Sequence, residues 1–371
     1  MKEKRLLLLA GLLILPILAF QGCYNSDINS QVQTGQANQE KISSYSMEEV
    51  DGYRIEQFEI NPNEGWNISD ISANENAIYY MKGKPIPAGQ VDGLTQVVEL
   101  RGDTGKEELI YSYDQPSFFN ELRATPDSLF WVRFENEQRK IERFNLKSRE
   151  LTIVRTISEE RHPICLETDS KYLAWFDEND MKKLCLYVLD IASGTIRVAS
   201  DEVARQSPYC RAQIRNGRIA FGALNKVTEE AEFHIYDIEN DVVVKKIPFR
   251  LFGVENQDIR KCVVTDRFLY FSVIDDNDED NSIYAMDYNS GVLYGNINKA
   301  DTYLFSFQTL GDEIIINARN ALWVNNPVQG SSKKILQRRE EAYLLSNNVI
   351  MDRFFVTHDE ENSSILRVTK M

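Results

Sequence analysis

Histidine is nearly absent from this chain of 371 residues. There are 3, His162, His234 and His358, and none sits in an HExxH or other local ligand spacing. A histidine-rich metal centre therefore has no signature, and histidine-dependent hydrolysis has few candidates. Cysteine is also scarce. Beyond Cys23, the residues Cys165, Cys185, Cys210 and Cys262 give no CxxC spacing, so their default role is small apolar packing, and no disulfide pairing can be read from them. No GxSxG, Walker-type or Rossmann glycine motif stands at a strand-to-helix turn, which removes support for nucleophile-elbow and nucleotide chemistry. Positive charge is in deficit. The 42 Lys+Arg face 57 Asp+Glu, a net −15, whereas a nucleic-acid binder needs clustered bases to release phosphate counterions.

What is present can build a core. Hydrophobic residues make up 43% and aromatics 11% of the chain, and the length suits about two ordinary domains or one large repeat domain. At the N-terminus Lys2, Lys4 and Arg5 precede the apolar run 6–20, which is shorter than the ~20 residues of a membrane span and reads as a secretion signal. It ends in Ala19-Phe20-Gln21-Gly22-Cys23. That ending resembles the lipobox of bacterial lipoproteins, departing from it at Phe20 and Gln21. The resemblance implies that Cys23 becomes the new N-terminus, carries a diacylglycerol, and anchors the protein on the extracytoplasmic face of the cell membrane. Removing 1–22 takes away three basic residues and Glu3, deepening the net charge from −15 to −17. Residues 23–46, rich in Asn, Gln, Ser and Thr, bury too little to offset their ordering entropy and read as a disordered tether. Residues 47–371 form the remaining domain.

That domain repeats. Apolar segments begin at Ile78, Leu129, Leu173, Ile219, Leu269, Ile314 and Phe354, at separations of 51, 44, 46, 50, 45 and 40 residues. No amphipathic helix pattern intervenes, and β-branched and aromatic runs alternate with Asn, Asp, Gly and Ser. A second strand follows each, and then a tight turn of one type: Asp190-Ile191-Ala192-Ser193-Gly194, Asp237-Ile238-Glu239-Asn240-Asp241, Asp287-Tyr288-Asn289-Ser290-Gly291. Units of about 40–50 residues with four strands mark a β-propeller. The expectation is all-β, a seven-bladed propeller of four-stranded antiparallel blades. Its last blade is completed by the N-terminal strand 53–60; six or eight blades are the alternative. The pattern resembles TolB-like and YncE-like propellers and the propeller domains of secreted Gram-positive proteins, in architecture only.

The turns between the second and third strands of a blade share one face in a propeller. Here they carry acids: Asp177 and Asp180, Glu229 and Glu230, Asp275, Asp276, Asp278 and Asp280, and Asp359 and Glu360, with Glu135 and Glu137 in another. Such a rim would repel phosphate polymers and attract cations or basic partners. Asp276, Asp278 and Asp280 also have the alternate carboxylates of a weak surface calcium site. They lack the Gly and terminal Glu of an EF-hand loop, so no cofactor is assigned. The leading expectation is a membrane-anchored, non-catalytic binding or scaffolding propeller for a protein, peptide or carbohydrate. The alternatives are an extracellular propeller enzyme using carboxylate acid–base groups on carbohydrate or peptide, and a structural part of an envelope assembly.

Overall fold

The structure is a computed structural model. It describes residues 42–50, 53–60, 67–74, 77–83, 94–101, 106–135, 138–157, 164–204, 211–252, 259–274, 281–296, 304–310, 313–318, 321–337, 349–351, 354–358 and 366–370. The chain divides into two compact units, Met1–Glu40 and Lys41–Met371. All described residues lie in the second, and none of their helices is long and apolar enough to cross a membrane. The signal segment and Cys23 lie outside the described residues.

The described residues are strands joined by turns. β1 (Ile42–Val50) and β2 (Tyr53–Ile60) form a hairpin. β1 takes in residues 42–46 of the stretch that composition assigns to the tether. Then come β3 (Asn67–Ala73), β4 (Ala77–Gly83), β5 (Leu94–Arg101) and the 19-residue β6 (Lys106–Ala124). The first half of β6 closes the β3–β6 unit, and its second half opens the next, completed by β7 (Ser128–Glu135), β8 (Gln138–Asn145) and β9 (Leu151–Ile157). β10 (Glu167–Thr168), β11 (Tyr172–Glu178), β12 (Leu184–Asp190) and β13 (Ile196–Ser200) form a separate four-stranded sheet. β14 (Arg211–Arg215), β15 (Arg218–Leu224), β16 (Ala231–Asp237) and β17 (Val242–Pro248) form the next unit, followed by β18 (Ile259–Val264), β19 (Phe268–Ile274), β20 (Asn281–Asp287) and β21 (Val292–Asn296). These two units are joined because β14 and β18 pair in parallel, Arg211 opposite Lys261. Opening strands of successive units run the same way, so where they touch only a parallel ladder is available. β22 (Leu304–Leu310), β23 (Glu313–Ala318), β24 (Ala321–Asn326) and β25 (Ser331–Gln337) make another four-stranded sheet.

The last unit contains strands from both ends of the described chain. β26 (Val349–Met351), β27 (Phe354–His358) and β28 (Leu366–Lys370) supply three strands, and β2 pairs antiparallel with β28 as the fourth, Ile60 opposite Leu366 and Glu56 opposite Lys370. β1 adds a fifth strand outside it.

The apolar runs that look continuous in sequence are buried on both faces, and period-two geometry sends alternate residues to different neighbours. In β7, Leu129 and Trp131 pack with Tyr79, Met81 and Val97 of the β3–β6 unit, while Phe130 and Val132 pack with Leu173 and Trp175. In β11, Leu173 and Trp175 face β7, while Ala174 and Phe176 join Phe221 and Ile235. In β19, Leu269 and Phe271 join that second cluster, while Phe268 and Tyr270 meet Phe307, Ile314 and Ile316. Each second strand is thus the seam between two sheets. Fully burying each large side chain of a seam is worth about 1.5–3 kcal/mol. Closing strands such as β17 alternate exposed and covered residues, as an edge with one packed face does.

Candidate functional site

The two ends of these units are built differently. At one end lie the first–second and third–fourth turns. Asn145, Asp190, Asp237, Asp287 and Asn326 each open the same turn, their Oδ1 accepting backbone N–H groups two or three residues on: Ser193 at 2.8 Å, Asn240 at 2.9 Å, Ser290 at 3.0 Å. The fifth residue is left-handed: Arg149 (φ 62), Gly194 (φ 72), Asp241 (φ 55), Gly291 (φ 78) and Gly330 (φ 58). In the turn 237–241 a non-glycine residue, Asp241, takes this position. The backbone bonds to these side chains hold Asp190 and Asp287 below the usual carboxylate range. The second residue of the turn donates its N–H back to the first–second turn, from Leu146 to Asp127, Ile191 to Lys171, Ile238 to Gly217 and Tyr288 to Arg267. Neighbouring units are stitched at the same end. Asn74 Nδ2 donates to the Thr125 carbonyl at 2.9 Å, Gly217 N to Asp169 Oδ2 at 3.1 Å, and Asn216 Nδ2 to Asp266 Oδ2 at 3.2 Å.

The second–third hairpins stand at the opposite end, where the sequence places its acids. Asp177 does not project. It is buried at the end of β11, where Arg155 Nε donates to Oδ2 at 2.6 Å and the Arg155 guanidinium lies 4.4 Å over the Tyr187 ring. Burial raises its pKa, against the pull of Arg155. Asp180, Glu229 and Glu230 are exposed, and Glu230 is paired with Arg250 at 2.9 Å. Glu135 takes Arg133 at 2.8 Å and also Lys140, whose hydrogen bond is the largest cause of its lowered pKa. Glu137, Asp275, Asp276, Asp278, Asp280, Asp359 and Glu360 lie outside the described residues, as do His162 and Cys210.

A denser cluster, not read from sequence as a site, lies where the connection after β13 crosses to the β14–β17 unit. His234 is completely buried; its Nε2 is 2.7 Å from Glu232 Oε1, and its Nδ1, 3.9 Å from Glu202 Oε2, lacks a hydrogen-bond partner. Desolvation lowers its pKa, opposed by the bond to Glu232. Lys246 lies 3.3 Å from Glu202 and 3.7 Å from Glu232, Lys226 reaches Glu202 at 3.0 Å and Asp201 at 3.5 Å, and Lys183 bonds Asp201 at 2.5 Å. Glu202 and Asp201 are held below the usual carboxylate range, first by hydrogen bonds from Lys226 and Lys183 respectively. A lysine occupies the place between the carboxylates that a metal would need. Among the described residues no group of three or more His, Cys, Asp or Glu could hold a metal ion. Connections from distant sequence positions, Asp201 and Glu202 above all, bring these charges together, so spacing gave no signal for them.

Another polar knot lies at the β6–β9 seam. Glu142 accepts from Trp131 Nε1 at 2.7 Å and from the Tyr113 hydroxyl, with Arg133 at 3.6 Å from Oε1 and 4.4 Å over the Tyr113 ring. Burial first, then the negative charge of Glu142, pushes the Tyr113 phenol well above its usual range. Cys165, Cys185 and Cys262 form no disulfide with one another. Cys262 is packed in β18 with its Sγ donating to the Ala220 carbonyl at 3.0 Å.

No family model matches the chain. No curated protein matches it in sequence. Solved structures do. The β-propeller domain of the Trilobed protease from Pyrococcus furiosus, which has an open velcro topology, is similar with a TM-score of 0.57 and 11% identity, over 81% of this chain and 93% of that one. An oligogalacturonate lyase in complex with manganese is similar with a TM-score of 0.53 and 10% identity, over 88% of this chain and 96% of that one. TolB from Acinetobacter baumannii matches with a TM-score of 0.41 and 9% identity, over 83% and 80% of the two chains. At such identities the likeness is one of architecture: the described strands of this chain have a β-propeller fold.

Proposed function

We propose that this protein is a lipid-anchored, extracytoplasmic seven-bladed β-propeller that binds or scaffolds a protein, peptide or carbohydrate without catalysing its turnover. Seven blades follow from taking each successive unit as one blade, with β2 as the outer strand of the last. The observation that carries the binding reading is the engagement of acids at the hairpin end. Glu135, Asp177, Asp201, Glu202 and Glu232 all lie against a lysine or arginine, which makes them struts between strands rather than a free acid–base pair. The densest acidic runs, 275–280 and 359–361, then contribute eight carboxylates to the surplus negative charge and favour a basic partner. Anchorage comes from Cys23; Cys23→Ala is expected to release the chain from the membrane fraction.

Calorimetric titration of the chain with lysine-rich peptides and soluble cell-wall oligosaccharides, beside hydrolysis assays on the same compounds, tests the reading. Saturable binding without turnover is expected, weakened when Asp275, Asp276, Asp278 and Asp280 are changed to Asn. Turnover that survives those changes and disappears in a folded Asp177→Asn variant would move the function to the carboxylate enzyme.

A further inference from the structure

Two consecutive hairpins at the acidic end hold apolar side chains out into solvent. In 179–183, Asn179 Oδ1 accepts from the Met181 N–H at 3.0 Å and Lys182 is left-handed (φ 60). In 225–230, Asn225 Oδ1 accepts from the Val227 N–H at 2.9 Å and Glu229 is left-handed (φ 58). The two turns differ, the left-handed residue standing fourth in the first and fifth in the second, but each holds the residue two after its Asn, Met181 or Val227, out in solvent, 81% and 91% exposed. Leu251, 58% exposed, follows Arg250 in the 3-10 turn Phe249–Phe252. Ion pairs make this one patch: Asp201 links Lys183 to Lys226, and Glu230 links the second hairpin to Arg250. Every apolar apex has a base next to it, Lys182, Lys226 or Arg250.

The register of the last unit shows where the N-terminal segment enters this architecture. Ile42 lies opposite Ile60, Ile60 opposite Leu366, and Leu366 opposite His358. That row is the second–third hairpin end of the β26–β28 unit, so the chain leading back to Cys23 leaves from the end that bears Met181 and Val227 in their own units. The 18 residues 24–41 span at most about 65 Å fully extended. A tether of that length, starting at this end, lets an anchored domain bring the end to the bilayer.

We infer that the hairpin tips 179–183 and 225–230, with Leu251, form a foot that rests on the phospholipid surface, its apolar apices entering the interface while Lys182, Lys226 and Arg250 stay at headgroup level. Side chains with apolar stems and charged heads partition in this way. Asp180, Asp201, Glu229 and Glu230 balance the four bases of the same patch, so apolar insertion, not attraction to anionic lipid, carries the contact. The inference rests on membrane anchorage, and the two fail separately.

The test incorporates an environment-sensitive fluorescent amino acid at position 181, 227 or 328 of the full chain, reconstituted into phosphatidylcholine–phosphatidylglycerol vesicles through its N-terminal segment. Val328, in the turn at the opposite end of its unit, is the control. Quenching by doxyl-labelled lipid at least about threefold greater at 181 and 227 than at 328 is expected for shallow interfacial insertion. Equal quenching, or none, at the three positions overturns the foot and leaves the patch to a protein partner. Flotation of Cys23→Ala from cells, scored apart from quenching, reports on anchorage alone.

Discussion

The two ends of the strand units solve different problems. The third–fourth turns repeat one five-residue solution, an Asx cap followed by a left-handed residue, from Asn145 to Asn326. The second–third hairpins vary in length: two residues separate β7 from β8, five separate β11 from β12, six separate β15 from β16 and ten separate β4 from β5. Their contacts are ion pairs that differ from unit to unit. An end that repeats its hydrogen bonds is constrained by the frame, whereas an end that varies in length and charge is free to be shaped by a ligand. The difference places stability in the turns and seams, and it is the hairpins to which the proposed function gives recognition.

The largest expected effect is in a seam. Glu142→Ala would leave Trp131 Nε1, the Tyr113 hydroxyl and Arg133 without their shared acceptor, and should cost about 3–5 kcal/mol in urea unfolding. The turn end comes next. Gly194→Ala and Gly291→Ala meet no atom within 4 Å, so their cost is the left-handed backbone alone, about 1–2 kcal/mol each. Met181→Ser and Val227→Ser at the hairpin tips should stay within about 0.5 kcal/mol of the parent. A tip substitution that costs as much as a turn glycine would erase the distinction between the ends.

The pH response sharpens the comparison further. Burial lowers the pKa of His234 from its ordinary value, against the pull of Glu232, where it packs among Glu202, Lys246 and the Phe221 ring. The unfolded chain takes up this proton first, so stability is full above pH 6.5 and falls as pH drops from there through the folded value. Glu202 and Asp201, whose folded values are depressed, add a separate loss as pH falls through the lower carboxylate range. Urea midpoints between pH 7.5 and 5 should decline in the parent and flatten in His234→Gln, which keeps a side chain able to bond Glu232. A small effect is also expected of Lys183→Ala, whose half-exposed pair with Asp201 is worth under about 1 kcal/mol and fades with salt.

Much of the fold is legible in the sequence because strand chemistry is local. The runs at Leu129, Leu173 and Leu269 read as buried strands, the Asp-led turns as hairpins, and the alternating segment 53–60 as the strand that completes the last unit. What was not legible depends on long-range pairing. The continuous β6, the parallel contact of β14 with β18, and the fifth strand β1 follow from neighbours that no local pattern names. The same holds for the site. Asp177 reads as one more acid in a polar turn, yet it is buried because β9, from the preceding unit, supplies Arg155. His234 has no local ligand spacing in the sequence, and the second carboxylate near it, Glu202, arrives on the connection after β13.

The division of labour between the two ends is tested most directly by measuring binding and stability together in two variants of the full chain. One replaces Asp275, Asp276, Asp278 and Asp280 with Asn at a hairpin; the other replaces Gly194 and Gly291 with Ala in the turns. Affinity for a deca-lysine peptide and the urea midpoint are read for each. The account predicts that the hairpin variant loses affinity and keeps its midpoint, while the turn variant loses midpoint and keeps its affinity. Loss of affinity confined to the turn variant, with the hairpin variant binding as the parent does, would contradict it.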